Sequence, residues 1–239
     1  MGPRKQKKKS IMTKLEAKPE SIEIDLKRSA MVVVDMQNAF AKPGGMLDLF
    51  GADISGAASA IRVNQKLLAA ARKAEVEIIY LAMTYKPDLS DAGGPSSPNY
   101  HKELGLRLMR QKPEHAGKLL IDGGWDWQIV DELKPHDNEL LIRKSRYSGF
   151  VDTNLDDYLR SKKIRYLFLT GITTNVCVES TGRDAFFAEY WPILIEDAMN
   201  HTGPKYCAEA TLWNFENIFG WVTHSNNVLT MLQSSVVTE

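Results

Sequence analysis

Cysteine is scarce in this chain of 239 residues: only Cys177 and Cys207 occur, far apart and in no CxxC pattern. That excludes a disulfide-stapled secreted scaffold and fits a reducing compartment, so the cytoplasm is the expected location. An excess of charge is also missing, because Lys plus Arg and Asp plus Glu each total 30. With no net field to draw it to polyanions, the chain is expected to bind neither nucleic acid nor a membrane surface. No uninterrupted apolar run approaches the roughly 18 residues of a membrane span, and no signal-peptide hydrophobic segment follows the basic N-terminus. No GxGxxG fingerprint follows the first apolar run, which sets aside a dinucleotide-binding oxidoreductase.

What is present is a core-forming composition, 44% hydrophobic and 25% charged, ordinary for a folded domain. The expected organisation is a basic, flexible tail over residues 1–20, carrying Arg4, Lys5, Lys7, Lys8 and Lys9, followed by one domain over 21–239. Solid apolar runs rich in β-branched residues occupy 30–34, 77–83, 139–142, 166–170 and 192–195 and read as buried strands. Helical apolar spacing over 54–73, 125–133, 155–160, 176–188 and 205–215 separates most of them. This alternation predicts an α/β fold, three layers deep, with a mostly parallel sheet and helices on both faces. In such sheets ligands bind at the carboxyl ends of the strands. Two segments there, 39–51 with Pro43-Gly44-Gly45 and 86–111 with Gly93-Gly94-Pro95, read as loops walling a pocket.

Three polar residues sit at carboxyl ends of different strands. Asp35 closes the first run, where it is either a turn-capping aspartate or a carboxylate facing the cleft. Lys144 follows the run at 139–142, and Cys177 lies in Gly171-Ile172-Thr173-Thr174-Asn175-Val176-Cys177, after the run at 166–170 and at the start of a helix. A free cysteine is commonly a small buried hydrophobe; at a helix N-terminus it also faces unpaired N–H groups that favour thiolate. Together the three form a plausible cysteine hydrolase: Asp35 takes the thiol proton, Lys144 stabilises the ionised pair, and Cys177 attacks a carbonyl. Backbone N–H groups of Thr173 and Cys177 are the candidate oxyanion donors. Cys207, inside a helical segment, has no such setting.

Val34-Asp35-Met36-Gln37-Asn38, Lys144 and the turn from Gly171 to Cys177 resemble the aspartate, lysine and cysteine motifs of the isochorismatase-like cysteine hydrolases, over nearly all of residues 22–222. Pro43-Gly44-Gly45, Gly93-Gly94-Pro95, Ser97-Pro98-Asn99, Trp125-Asp126, Arg146-Tyr147-Ser148-Gly149-Phe150 and Asn175-Val176-Cys177-Val178-Glu179-Ser180-Thr181 are similar to the ureidoacrylate amidohydrolases within that family. The resemblance implies six strands, a cis peptide between Ile172 and Thr173, a homo-oligomer (dimer or tetramer), and a small linear ureido or amide substrate. Biuret and triuret hydrolases share the trio. Met83-Thr84-Tyr85 and Met46 depart from the ureidoacrylate pattern, so they bear on the substrate. Nicotinamidases of the family add a metal site of aspartate and histidines after the second strand. Here Met83-Thr84-Tyr85-Lys86-Pro87-Asp88 has no histidine and His101 has no partner at ligand spacing, so neither metal nor cofactor is expected. Phe40, Tyr85, Asn99 and Tyr147 are the candidate pocket walls, and Arg146 the candidate partner of a substrate carboxylate.

Overall fold

The run at the start of the domain folds as anticipated, and the reason is visible in its burial. In the computed structural model, which describes residues 12–236, every residue of β3 (Ser29–Val34) is buried. Alternate side chains go to opposite faces, as the twofold period of a strand requires. Met31 and Val33 join one core cluster, while Ala30, Val32 and Val34 join another.

In chain order, β1 (Met12–Leu15) and β2 (Ile22–Asp25) pair antiparallel as a separate two-stranded ribbon ahead of β3. Short helices α1 (Asn38–Ala41) and α2 (Met46–Phe50) lead to the long α3 (Ala57–Lys73), then β4 (Glu77–Met83), α4 (Pro98–Lys102) and α5 (Leu104–Gln111). The remainder is β5 (Leu140–Lys144), α6 (Leu155–Ser161), β6 (Tyr166–Ile172), α7 (Glu179–Phe187), β7 (Trp191–Asn200), α8 (Lys205–Asn214), β8 (Trp221–Thr223) and α9 (Ser225–Val236). The main sheet has six strands in the order β5-β4-β3-β6-β7-β8, every neighbouring pair parallel. One face is covered by α3 (Ile61, Leu67, Leu68) and α9 (Val228, Met231, Leu232), the other by α6 (Leu155, Leu159) and α7 (Ala185). The order reverses direction at β3: the chain first builds outward through β4 and β5, then returns to lay β6 on the other side. The β3–β6 seam is therefore the switch point where a crevice opens at the strand ends.

Several expectations are corrected. The basic run lies outside the described residues, but the tail expected over 1–20 does not extend to its second half. Leu15 is fully buried in the core, and Lys18 exchanges backbone hydrogen bonds with Val222 of β8 at 2.8 and 3.0 Å. Residues 125–133 are turns ending in a single 3-10 turn (Asp131–Leu133), not a helix. Their carbonyls are taken by another element: Asn38 N–H donates to Gln128 O and Ala39 N–H to Asp126 O, both at 2.8 Å. The segments read as loops at 39–51 and 86–111 contain α2 and, in the second, α4 and α5. The sixth strand, β8, is three residues long, too short to leave a pattern of its own. Among the described residues no helix is long and apolar enough to cross a membrane.

Candidate active site

Asp35 leaves β3 with a left-handed backbone (φ 48°), a conformation that Asp tolerates better than most side chains. Its N–H still donates to Leu81 O at 2.9 Å, and Oδ1 accepts the Met83 N–H at 2.9 Å, so the end of β4 fixes the carboxylate. Gln37, two residues on and fully buried, ties the same point. Its Oε1 accepts from Met83 N–H at 2.8 Å while Nε2 donates to Met83 O at 2.9 Å and Trp127 O at 2.7 Å. Gln37 was quoted in the sequence motif without a role; the bridge becomes visible only when β3, β4 and the 125–130 turns are brought together.

Lys144 is the last residue of β5, two strands away from β3 and fully enclosed. Its Nζ lies 2.7 Å from Asp35 Oδ2 and 3.2 Å from Arg146 O. The departure at Met83 touches this ammonium, with Sδ 3.8 Å from Nζ.

On the other side of the seam, Gly171 (φ 115°) lets β6 approach β3: a Cβ there would overlap the Val34 carbonyl. The Ile172–Thr173 peptide is cis, as the resemblance implied. Residues Thr174–Val178 then form one turn of π-helix running directly into α7. Cys177 sits in that turn, close enough to interact electrostatically with both Asp35 and Lys144. Thr181 Oγ1 donates to Cys177 O at 2.7 Å and accepts from Gly149 N–H at 3.0 Å, tying the turn to the segment carrying Tyr147. Asn175 and Thr202 exchange two hydrogen bonds at 3.0 and 3.1 Å, which hold the loop after β7 against the same turn.

The electrostatics of the trio differ from the helix-terminus expectation. Burial pushes the Cys177 thiol well up, against the pull of Lys144. Burial likewise lifts Asp35 above the ordinary carboxylate range, although Lys144 pulls it back. For Lys144 burial works against the charge, but the Asp35 carboxylate outweighs it and raises the ammonium. Burial thus works against charge on all three groups, while the attraction between Asp35 and Lys144 works for it.

Cys177 opens into a cavity of about 290 Å³. Phe40, Met46 and Leu47 from α1 and α2 form one wall, Glu103 and Leu104 at the start of α5 a second, and Tyr147, Thr173, Val176 and Thr202 the rest. Of the proposed walls, Phe40 and Tyr147 are here and Tyr85 and Asn99 are not, and Arg146, expected to meet a substrate carboxylate, is outside this lining as well. Tyr85 is fully buried, its hydroxyl accepting from Asn99 Nδ2 at 3.1 Å. Arg146 Nη1 is spent on Asp91 O at 3.0 Å and Ser145 O at 2.7 Å, and its side chain lines a different recess. Glu103 was missed because nothing in the sequence around it differs from a solvated helix start. Among the described residues no group of three or more His, Cys, Asp or Glu side chains is placed to hold a metal ion.

Residues 29–227 match the isochorismatase domain. The chain belongs to the isochorismatase family. It is 48% identical to a ureidoacrylate amidohydrolase RutB from Rhizobium rhizogenes, covering 94% of this chain and 92% of the relative. Identity to the enzyme of the same name from Klebsiella pneumoniae is 51%, over 89% of this chain and 90% of that one. A solved cysteine hydrolase from Pseudomonas syringae superposes with a TM-score of 0.74 at 30% identity, covering 89% of this chain and 95% of that one. This isochorismatase-family chain is thus a hydrolase of the kind that opens amide C–N bonds.

Proposed function

We propose that this chain hydrolyses the ureido C–N bond of a small linear substrate such as ureidoacrylate, with Cys177 as nucleophile, Asp35 as proton carrier and Lys144 as the charge that orients them. The observation that carries the reading is the contact trio at the mouth of one cavity: Cys177 against Asp35, and Asp35 Oδ2 2.7 Å from Lys144 Nζ. The thiol proton passes to Asp35 as Sγ bonds to the carbonyl carbon, and the N–H groups of Thr173 and Cys177 receive the oxyanion. Collapse expels the amine, which takes the proton from Asp35, and leaves an S-carbonyl enzyme. Water then attacks that carbonyl, Asp35 again holding the proton until the thiol departs with it. No metal or cofactor has a step in this sequence.

Biuret and triuret, whose carbonyls are of the same type, are the second reading. It is favoured by the position of the two departures, since Met46 lines the cavity and Met83 touches Lys144. Assembly as a homo-oligomer belongs to the same proposal, supported by Phe186 and Phe187 of α7, which are 41% and 67% exposed and stack edge-on against Phe219.

The test is ammonia release from ureidoacrylate, biuret and triuret side by side, with Cys177→Ser as the blank. Turnover of at least one, absent in the blank and unchanged by exhaustive chelation, is expected. Turnover surviving in Cys177→Ser, or lost to chelator and restored by zinc, overturns the mechanism.

A further inference from the structure

We propose that Glu103 is a specificity-determining residue that recognises the N–H groups of the substrate's carbamoyl end and turns carboxylates away from that end of the cavity. The inference rests on the amidohydrolase reading and names which part of the molecule is selected.

Glu103 is a carboxylate with only 2% of its surface exposed, yet it lines the cavity that holds Cys177. A buried carboxylate must be surrounded by donors, and this one is. Oε1 accepts the Gly105 N–H at 3.0 Å and Oε2 the Leu106 N–H at 2.7 Å, capping α5. An ionised carboxyl has about four acceptor sites. The two backbone N–H groups fill two of them, and the cavity side is where a further donor would come from. Both N–H donors favour the charged form, while burial lifts the group above the ordinary carboxylate range. No Lys or Arg is among the described residues that line the cavity, and Lys144 acts on Glu103 from outside that lining. Its charge reaches the reaction centre, because Glu103 contributes to raising the Cys177 thiol. A group offering N–H, such as a terminal carbamoyl, is drawn to this wall, whereas a second carboxylate is repelled. Ureidoacrylate would therefore bind with its carbamoyl end toward α5 and its acid toward the mouth.

Two alkylating agents that differ only in carboxamide against carboxylate, iodoacetamide and iodoacetate, test this without depending on turnover. The rate ratio at Cys177 is measured against the ratio for 2-mercaptoethanol, with Cys207→Ser as background. Wild type is expected to favour iodoacetamide by about tenfold or more beyond the small thiol, the scale of one hydrogen bond to a charged group. In Glu103→Gln that excess falls by about tenfold. Glu103→Ser, which keeps a helix-capping oxygen, guards against misfolding and is expected to behave the same way, each variant being checked for a retained melting transition. An excess that is absent in wild type, or is unchanged in both folded variants, overturns the proposal even if ureides are hydrolysed. Conversely, the excess can be found in a protein that hydrolyses none of the ureides; that result fails the amidohydrolase reading and upholds the recognition by Glu103.

Discussion

Lys144 Nζ lies 2.7 Å from Asp35 Oδ2, and neither side chain has any exposed surface. The two belong to strands separated by β4, so the pair spans the carboxyl edge of the sheet beneath the cysteine. Such a pair offers little net stability, since its desolvation offsets its attraction, but each member depends on the other.

Removing one partner is therefore expected to be far worse than removing both charges. Lys144→Ala strands a buried carboxylate and should cost about 3–5 kcal/mol in urea unfolding. Asp35→Asn combined with Lys144→Met keeps an acceptor for the Met83 N–H and should recover most of that stability, within about 1.5 kcal/mol of wild type. Amide hydrolysis should be absent from both proteins. A double variant as unstable as the single one would show that the pair's charge holds the fold.

The pH dependence of kcat/KM should carry the signature of Asp35. Burial raises this carboxyl above the ordinary value, and the protonated form cannot accept the thiol proton. Activity is accordingly lost as pH falls through a value above about 4, the usual aspartate range. On the alkaline side Lys144, raised by Asp35, keeps its charge to beyond the usual lysine range, so no loss from its deprotonation is expected below about pH 10. An acid limb centred at or below pH 4 would remove Asp35 as the base.

Asp126 provides a stability readout independent of catalysis. It accepts the Met46 and Leu120 N–H groups at 3.0 and 2.8 Å, anchoring the cavity wall to the 118–126 turns, and burial lifts it to about 6. A raised folded value means that the native state binds the proton more tightly than the unfolded chain between about pH 4 and 6. Its contribution is complete below about pH 4 and is lost as pH rises through 6, by roughly 3 kcal/mol for a two-unit shift. In Asp126→Asn the difference in unfolding free energy from wild type should change across that window and be flat above it. A difference constant from pH 4 to 7 would show an unshifted carboxyl.

Much of this protein was legible in its sequence. The β-branched run at 30–34 and its counterparts can be buried on both faces only in a parallel sheet with helices above and below. Asp35, Lys144 and Cys177 were identifiable because each follows or ends such a run, where the chain must turn at the edge of the sheet. Even so, strand position says where a backbone ends and nothing of what surrounds a side chain. The thiol expected to ionise at a helix start is instead lifted by burial, because the wall around it comes from α1, α2 and α5. The surroundings of Arg146 and Glu103 were hidden for the same reason: the arginine finds nearby carbonyls of Ser145 and Asp91, while the glutamate, ordinary in sequence, is carried into the cavity by the fold of the segment after β4. Local pattern determined the layers and the trio, since both depend on neighbours along the chain. Which charges are buried, paired or turned toward the cavity was decided by contacts between distant segments, and only the tertiary structure contains those.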